Sequence, residues 1–280
     1  MKKGINYWAF PPKKDGSLLT PKEAFVYAKE LGYDCFELTV EGSGPFSLDT
    51  TKKEAEAIRK SADEVGISLF TVASGLAWGC SPTHPDKAVR KQATANSKKV
   101  IELAAAVGAE TILYLPGMVS ACFVPEFVPQ PYDRVLGWAT DSLKEILPTA
   151  ERYKVRIGVE NVWNRFLLSP LEMKDFIDQF KSEYVGSYFD VGNVMLYGHP
   201  EHWIEILGKR IFAVHMKDFR LNVGNLDGFV DLLSGDVNYS AVIQALKKVK
   251  YSGPCTAEIV PGKVGAAEKA IVSLKLIEQM

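Results

Sequence analysis

The nine residues VGSYFDVGN, 185–193, read as a buried strand that ends on a carboxylate. An apolar run with two aromatics leads inward, and Asp190 stands where the strand should stop, with a glycine and an asparagine close behind it. A helical pattern precedes the stretch at SPLEMKDFIDQF (169–180), and another follows at PEHWIEILGKR (200–210). Working outward in both directions, the same unit recurs. Short β-type runs stand at KGINYWAF (3–10), YDCFELTV (33–40), ISLFTVAS (67–74), AETILYLPG (109–117), VRIGVEN (155–161), IFAVHMKD (211–218) and GPCTAEIV (253–260), and each leads into a helical pattern. The helix at 21–32 opens on Pro21 and closes on Gly32, residues suited to a first turn and a C-terminal cap. Uniform alternation of strand and helix implies parallel strands joined by helical crossovers. Eight such units in 280 residues, against roughly 250 for the common form, predict a single-domain α/β fold over 1–280, the closed (β/α)8 TIM barrel. An open doubly wound sheet is the rival, but no glycine-rich dinucleotide or P-loop fingerprint follows the first strand.

In such a barrel the chemistry sits at the C-terminal ends of the strands. The last four runs end with Glu160, Asp190, His215 and Glu258, each a metal-ligand type of side chain closing an apolar run. Acidic residues and histidines make up roughly one residue in seven of the chain, so four successive hits ask for a common cause. Taken singly, each has an ordinary reading: an ion-paired glutamate, a helix cap at Asp190, a satisfied core histidine. Together they would crowd three carboxylates at one mouth, where they repel unless a cation sits among them. Three oxygens and one imidazole suit one divalent ion, Mn²⁺ first, with Mg²⁺, Co²⁺ or Zn²⁺ as alternatives.

At these residues the sequence resembles the xylose-isomerase-like superfamily of sugar isomerases and epimerases, over nearly the whole chain. The resemblance implies that Glu160, Asp190, His215 and Glu258 hold the metal. It further implies that Glu160 and Glu258 are the catalytic acid/base pair, taking a proton from C3 of a ketose and returning it to the other face through an enediolate. The motifs D-V-G-N at 190–193 and H-M-K-D at 215–218 resemble the branch acting on ketose phosphates, such as L-ribulose-5-phosphate 3-epimerase. Free-sugar 3-epimerases carry a histidine where this chain has Asn193, and a substrate-binding glutamate where it has Phe166 or Leu167. The expectation is therefore 3-epimerisation of a ketose phosphate. Epimerisation of free ketohexoses and dehydration or isomerisation of an inosose use the same logic, as does aldose–ketose isomerisation, and a catalytically silent sugar-binding barrel is the reading from another class.

Substrate contacts are expected from Asn193, Lys217, Arg220, Trp8 and Glu37, with Arg165 as a further cation; ordinary loop charge or rim packing is the plainer account of each. Asp218 is a candidate to orient His215 or Lys217, and Gly192 reads as a tight turn. His84, His199 and His202 read as solvated loop and first-turn residues. Four histidines in all are too few for the trinuclear zinc site of the abasic-site endonucleases built on the same barrel. The long apolar loops SGLAWGCSPTHPD (74–86) and GMVSACFVPEFVPQPYD (117–133) are expected to close over a substrate or to form a subunit interface. Related barrels associate as dimers or tetramers, so a homo-oligomer is expected. A net charge of −1 offers no basic field for nucleic acid, and no run approaches the roughly 18 apolar residues of a membrane span. Four dispersed cysteines and no signal-like N-terminal segment fit a reducing, cytoplasmic setting.

Overall fold

The computed structural model describes residues 1–259 and 265–280. Eight parallel strands close on themselves: β1 Lys2–Asn6, β2 Cys35–Thr39, β3 Ser68–Ala73, β4 Thr111–Tyr114, β5 Arg156–Glu160, β6 Val185–Asp190, β7 Ile211–Met216 and β8 Pro254–Ala257. They run in sequence order around the barrel, and β1 pairs with β8 from Lys2↔Pro254 to Ile5↔Ala257 to seal it. Val260, the last residue of the eighth β-type run, lies outside the described residues. The outer ring consists of α1 Pro21–Leu31, α2 Lys52–Val65, α3 Lys87–Val107, α4 Tyr132–Tyr153, α5 Pro170–Asp178, α6 Pro200–Leu207, α7 Tyr239–Lys248 and α8 Ala266–Ile277.

Local chemistry places these boundaries. Thr20 and Thr51 each form a reciprocal capping box with the glutamate three residues on, contributing about 1 kcal/mol apiece. Pro21, Pro170 and Pro200 occupy first turns, where the missing N–H would have no intrahelical partner. Gly32, Gly66 and Gly108 close α1, α2 and α3 in the left-handed conformation, which an L side chain adopts at a cost. The main core lies between strands and helices and includes Ile5, Ile112, Val159, Phe189 and Val214. A smaller cluster, Ala73, Leu113, Leu115, Tyr188 and Ala213, gathers Trp8, Trp78 and Val162 against it.

Two features lie outside the repeating pattern. A short antiparallel pair, Asp218–Phe219 with Phe229–Val230, extends the chain beyond β7. A helical turn, Leu76–Gly79, sits in the loop after β3. That loop and the one after β4 are stitched together: Thr83 Oγ donates to the Met118 carbonyl at 3.0 Å and accepts from its N–H at 2.8 Å. The loop after β5 joins them, with Asn164 Nδ2 donating to the Gly117 carbonyl at 2.8 Å. Among the described residues, no helix is long and apolar enough to cross a membrane.

Candidate metal centre and active site

Glu160 and Asp190 are the last residues of β5 and β6, His215 is the penultimate residue of β7, and Glu258 follows β8 directly. Parallel pairing sets Asp190 beside His215 and Thr256 beside His215, so four successive strand ends deliver their side chains to one place. One potential ligand atom from each lies within 4.8 Å of all the others, and the group can hold a metal ion. The fit is supported by two buried atoms with no hydrogen-bond partner, Asp190 Oδ2 and His215 Nδ1. Orphaned buried polar atoms are costly unless something satisfies them, and a cation would satisfy both. His215 Nδ1 lies 3.2 Å from Glu258 Oε2, 3.7 Å from Glu160 Oε1 and 4.0 Å from Asp190 Oδ2.

Beneath the tetrad is a buried brace. Glu37 is fully buried; its Oε1 lies 2.8 Å from His215 Nε2, and its Oε2 accepts from Thr71 Oγ at 2.7 Å and from the Tyr188 hydroxyl. With a proton on Nε2 directed at Glu37, Nδ1 is the atom that would offer its lone pair to a metal ion once its own proton is displaced, the usual arrangement behind a metal-binding histidine. Glu37 was expected to meet substrate; it is fully buried beneath His215 and braces that side chain instead. A clamp holds Asp190. Asn161 Oδ1 accepts from the Asp190 N–H at 2.9 Å, its Nδ2 donates to the Asp190 carbonyl at 2.7 Å, and the Asn193 N–H donates to Asp190 Oδ1 at 2.7 Å. Nothing in the sequence singled out Asn161, whose only signal was its place directly after Glu160.

Above the tetrad opens a cavity of about 230 Å³. Of the expected substrate contacts, Trp8, Asn193 and Lys217 line it, whereas Glu37 and Arg220 do not. Arg220 is exposed, its Nε donating to the Ser234 carbonyl at 3.0 Å, and Arg165 is exposed too. The Asp218 carboxylate accepts from the N–H groups of Phe219, Gly235 and Val237 and folds the loop after β7, rather than orienting the side chain of His215 or Lys217. Gly192 lies in the turn that follows β6, as expected, and it also allows close approach, since a Cβ there would stand 2.9 Å from the Lys217 carbonyl oxygen. His84 is a loop residue, its Nδ1 accepting from the Asp86 N–H, and His199 and His202 are exposed.

Charge at the site is uneven. Lys217 Nζ lies 2.8 Å from Glu258 Oε2 and 3.7 Å from Asp190 Oδ2. Burial pushes the Glu258 carboxyl upward, but Lys217 and His215 beside it hold it well below the usual range. Burial raises Asp190 well above that range and raises Glu160 as well, with Glu258 adding repulsion to both. Burial alone would depress His215, yet Glu37, Glu258 and Glu160 hold it well above the ordinary imidazole value. These directions make a testable statement. Groups whose native pKa is raised bind more protons folded than unfolded, so the metal-free protein should lose stability as pH rises through their range. A divalent ion must displace the same protons, so its affinity should increase over that interval and its binding should release protons. Thermal unfolding between about pH 6 and about pH 9 should show a falling midpoint without metal and a growing gap between metal-loaded and metal-free samples. A gap that shrinks as pH rises would refute it.

The family model described as xylose isomerase-like TIM barrel matches residues 25–279. The uncharacterized protein MJ1311 of Methanocaldococcus jannaschii is 28% identical over 264 residues, covering 92% of this chain and 83% of that one. Among solved structures, a D-tagatose 3-epimerase-like protein superposes with a TM-score of 0.81 at 22% identity, covering 100% of this chain and 97% of the other. The 3-keto-D-glucoside 4-epimerase YcjR of E. coli gives 0.79 at 19% identity, with 100% of each chain covered. At these identities the two structures share the fold with this chain.

Proposed function

We propose a function from one premise: the chain belongs to the xylose isomerase-like TIM barrel family. The reading is a divalent-metal-dependent sugar epimerase or isomerase that moves a proton on and off a carbon next to a ketose carbonyl, C3 in its 3-epimerase form. The observation that carries it is the tetrad, whose two glutamates stand within reach of one shared centre lined by orphaned Asp190 Oδ2 and His215 Nδ1. Structural neighbours named as epimerases of tagatose type and of a keto-glucoside are in keeping with it.

Glu160, Asp190, His215 and Glu258 would hold the metal, Mn²⁺ being the first candidate. A bound divalent ion supplies Lewis acidity toward the carbonyl oxygen and the adjacent hydroxyl. Glu258, kept ionised by Lys217, takes the proton from one face of the carbon, and Glu160 returns one to the other. Lys217 keeps a positive charge beside the oxygens on which negative charge gathers. Asp190 and His215, braced by Asn161 and Glu37, fix the position of the centre. The ketose phosphate implied by the motifs has less support than an unphosphorylated ketose, because the cation among the described lining residues is Lys217, which is already paired with Glu258.

The test is solvent deuterium uptake, followed by NMR, in Mn²⁺-loaded protein offered ketoses and ketose phosphates in D₂O. Label at C3 is the expected result, and a chelator should abolish it until metal is restored. Label at C1 or C2 would make the protein an aldose–ketose isomerase, and absence of label with metal bound would overturn the reading.

A further inference from the structure

The lining above the tetrad is built for something other than a bare polyol. Its walls are Trp8, Trp78, Phe123, Trp163, Leu226 and Phe229, with Leu113, Leu115, Val162 and Ile259 between them. Most of its polar side chains outside the tetrad already make a hydrogen bond within the protein. Trp8 Nε1 donates to Glu41 Oε1 at 2.8 Å, and Trp163 Nε1 donates to the Asn193 carbonyl at 3.0 Å. Asn193 Nδ2 donates to the Asn161 carbonyl at 3.0 Å, and Ser74 Oγ donates to the Val40 carbonyl at 3.0 Å. Lys217 is bound to Glu258 and lies over the Phe229 ring, 4.7 Å from its centroid. Among the described lining residues, the side-chain atoms Trp78 Nε1 and Asn193 Oδ1 are the exceptions.

A compact ketose or ketose phosphate carries a hydroxyl or an anion on every carbon beyond those that react. Each would leave water for a lining with little to offer in return, and a buried polar group without a partner weakens binding. Aromatic faces reward the opposite kind of group, one that is flat and apolar. The apolar surface also runs outward, since Phe123 and Leu226 line the cavity while remaining 40% and 41% exposed at its rim. Trp78 and Phe123 meet edge to face at 4.7 Å, and Trp163 and Phe229 pack at 4.9 Å, so these walls are mutually supported.

We infer that the substrate is a keto sugar bearing an aromatic substituent, such as an aryl glycoside, whose sugar meets the tetrad and whose ring lies along the wall that ends at Phe123 and Leu226. The inference rests on the proposed proton-transfer function and names the substrate class for it. It also assigns Phe123 and Leu226 as residues that determine specificity.

Calorimetric titration of Mn²⁺-loaded protein with phenyl and methyl 3-keto-β-D-glucoside, D-fructose and D-fructose 6-phosphate tests it. The phenyl glycoside should bind about tenfold or more tighter than the methyl one, the difference expected from burying a ring. The phosphate should bind no tighter than fructose. The phenyl preference should shrink in Phe123→Ser and in Leu226→Ser, two exposed loop positions whose folding can be verified by circular dichroism. Equal binding of the two glycosides, tightest binding of the phosphate, or a preference untouched in both variants would overturn the inference. Deuterium uptake in the same samples, at C2 or C4 beside the carbonyl of the 3-keto-glucosides and at C3 of the ketoses, separates the two readings. A phenyl preference without exchange would remove the catalytic function and leave the aromatic site, whereas exchange in bare ketoses without a phenyl preference would do the reverse.

Discussion

Glu258→Gln is expected to lower interconversion of the two epimers by about 10³-fold in both directions, while the protein continues to bind Mn²⁺. The amide keeps the shape of the side chain and an oxygen for the metal, but it cannot accept a proton. Lys217 loses its nearest partner at 2.8 Å and retains Asp190 at 3.7 Å, so the ammonium stays at the site. A two-glutamate mechanism makes a further demand. With Glu258 disabled, Glu160 still faces the opposite side of the carbon, so solvent deuterium should enter one epimer and not the other, with little conversion of either. Glu160→Gln should exchange the epimers' roles. Chiral analysis of the products, with calorimetry to show that metal is bound, checks both variants. Conversion near the wild-type rate in Glu258→Gln would remove that residue from the proton path.

The largest effect away from the reacting atoms is expected at Glu37. Glu37→Ala would leave His215 Nε2, the Tyr188 hydroxyl and Thr71 Oγ facing a cavity in a region closed to water. Breaking a buried charged network from one side costs about 3–5 kcal/mol. Loss of the group that orients a metal-binding histidine lowers affinity about 10–100-fold. Glu37→Gln keeps an oxygen that can accept from Nε2–H, and it should recover most of the stability and part of the affinity. Denaturant unfolding and Mn²⁺ titration on the same preparations give both quantities. Unchanged metal affinity in Glu37→Ala would show that the Glu37–His215 contact does not position the ligand.

The fold was legible because eight β-type runs alternate with helical patterns, with some ends marked outright, as by Pro21 in a first turn and Gly32 after a last one. The tetrad was legible for a related reason, since Glu160, Asp190, His215 and Glu258 each interrupt an apolar run where a barrel strand should end. What could not be read was direction. Glu37 invites the same reading as a strand-end residue but stands at the middle of β2, and its pairing with β3 slips between Cys35 and Glu37, a displacement set by tertiary packing that no spacing records. Arg220 follows the H-M-K-D motif closely enough to suggest substrate contact, but the fold of the loop after β7, organised by Asp218, turns it to the Ser234 carbonyl. Asn161 and Asn193 serve backbone groups, and polar residues in that role leave the same trace in sequence as those that meet a ligand. The apolar character of the cavity was half visible, as two long apolar loops; that Thr83 binds them to one another, and Asn164 ties the loop after β5 to them, is a matter of tertiary structure.

The stitched loops differ from the tetrad in how they are anchored. Glu160, Asp190, His215 and Glu258 are fixed by strand pairing, the least replaceable part of the molecule, whereas Trp78, Phe123, Trp163 and Leu226 belong to connections that leave the barrel and return to it. Over descent, the two parts are therefore free to change at different rates. A lineage can exchange the segments after β3, β4 and β5 as one package, since Thr83 and Asn164 tie them together, and so acquire a new diet without relearning its chemistry. Divergence among descendants of this chain should accordingly be concentrated in those three segments and should arrive in all of them together.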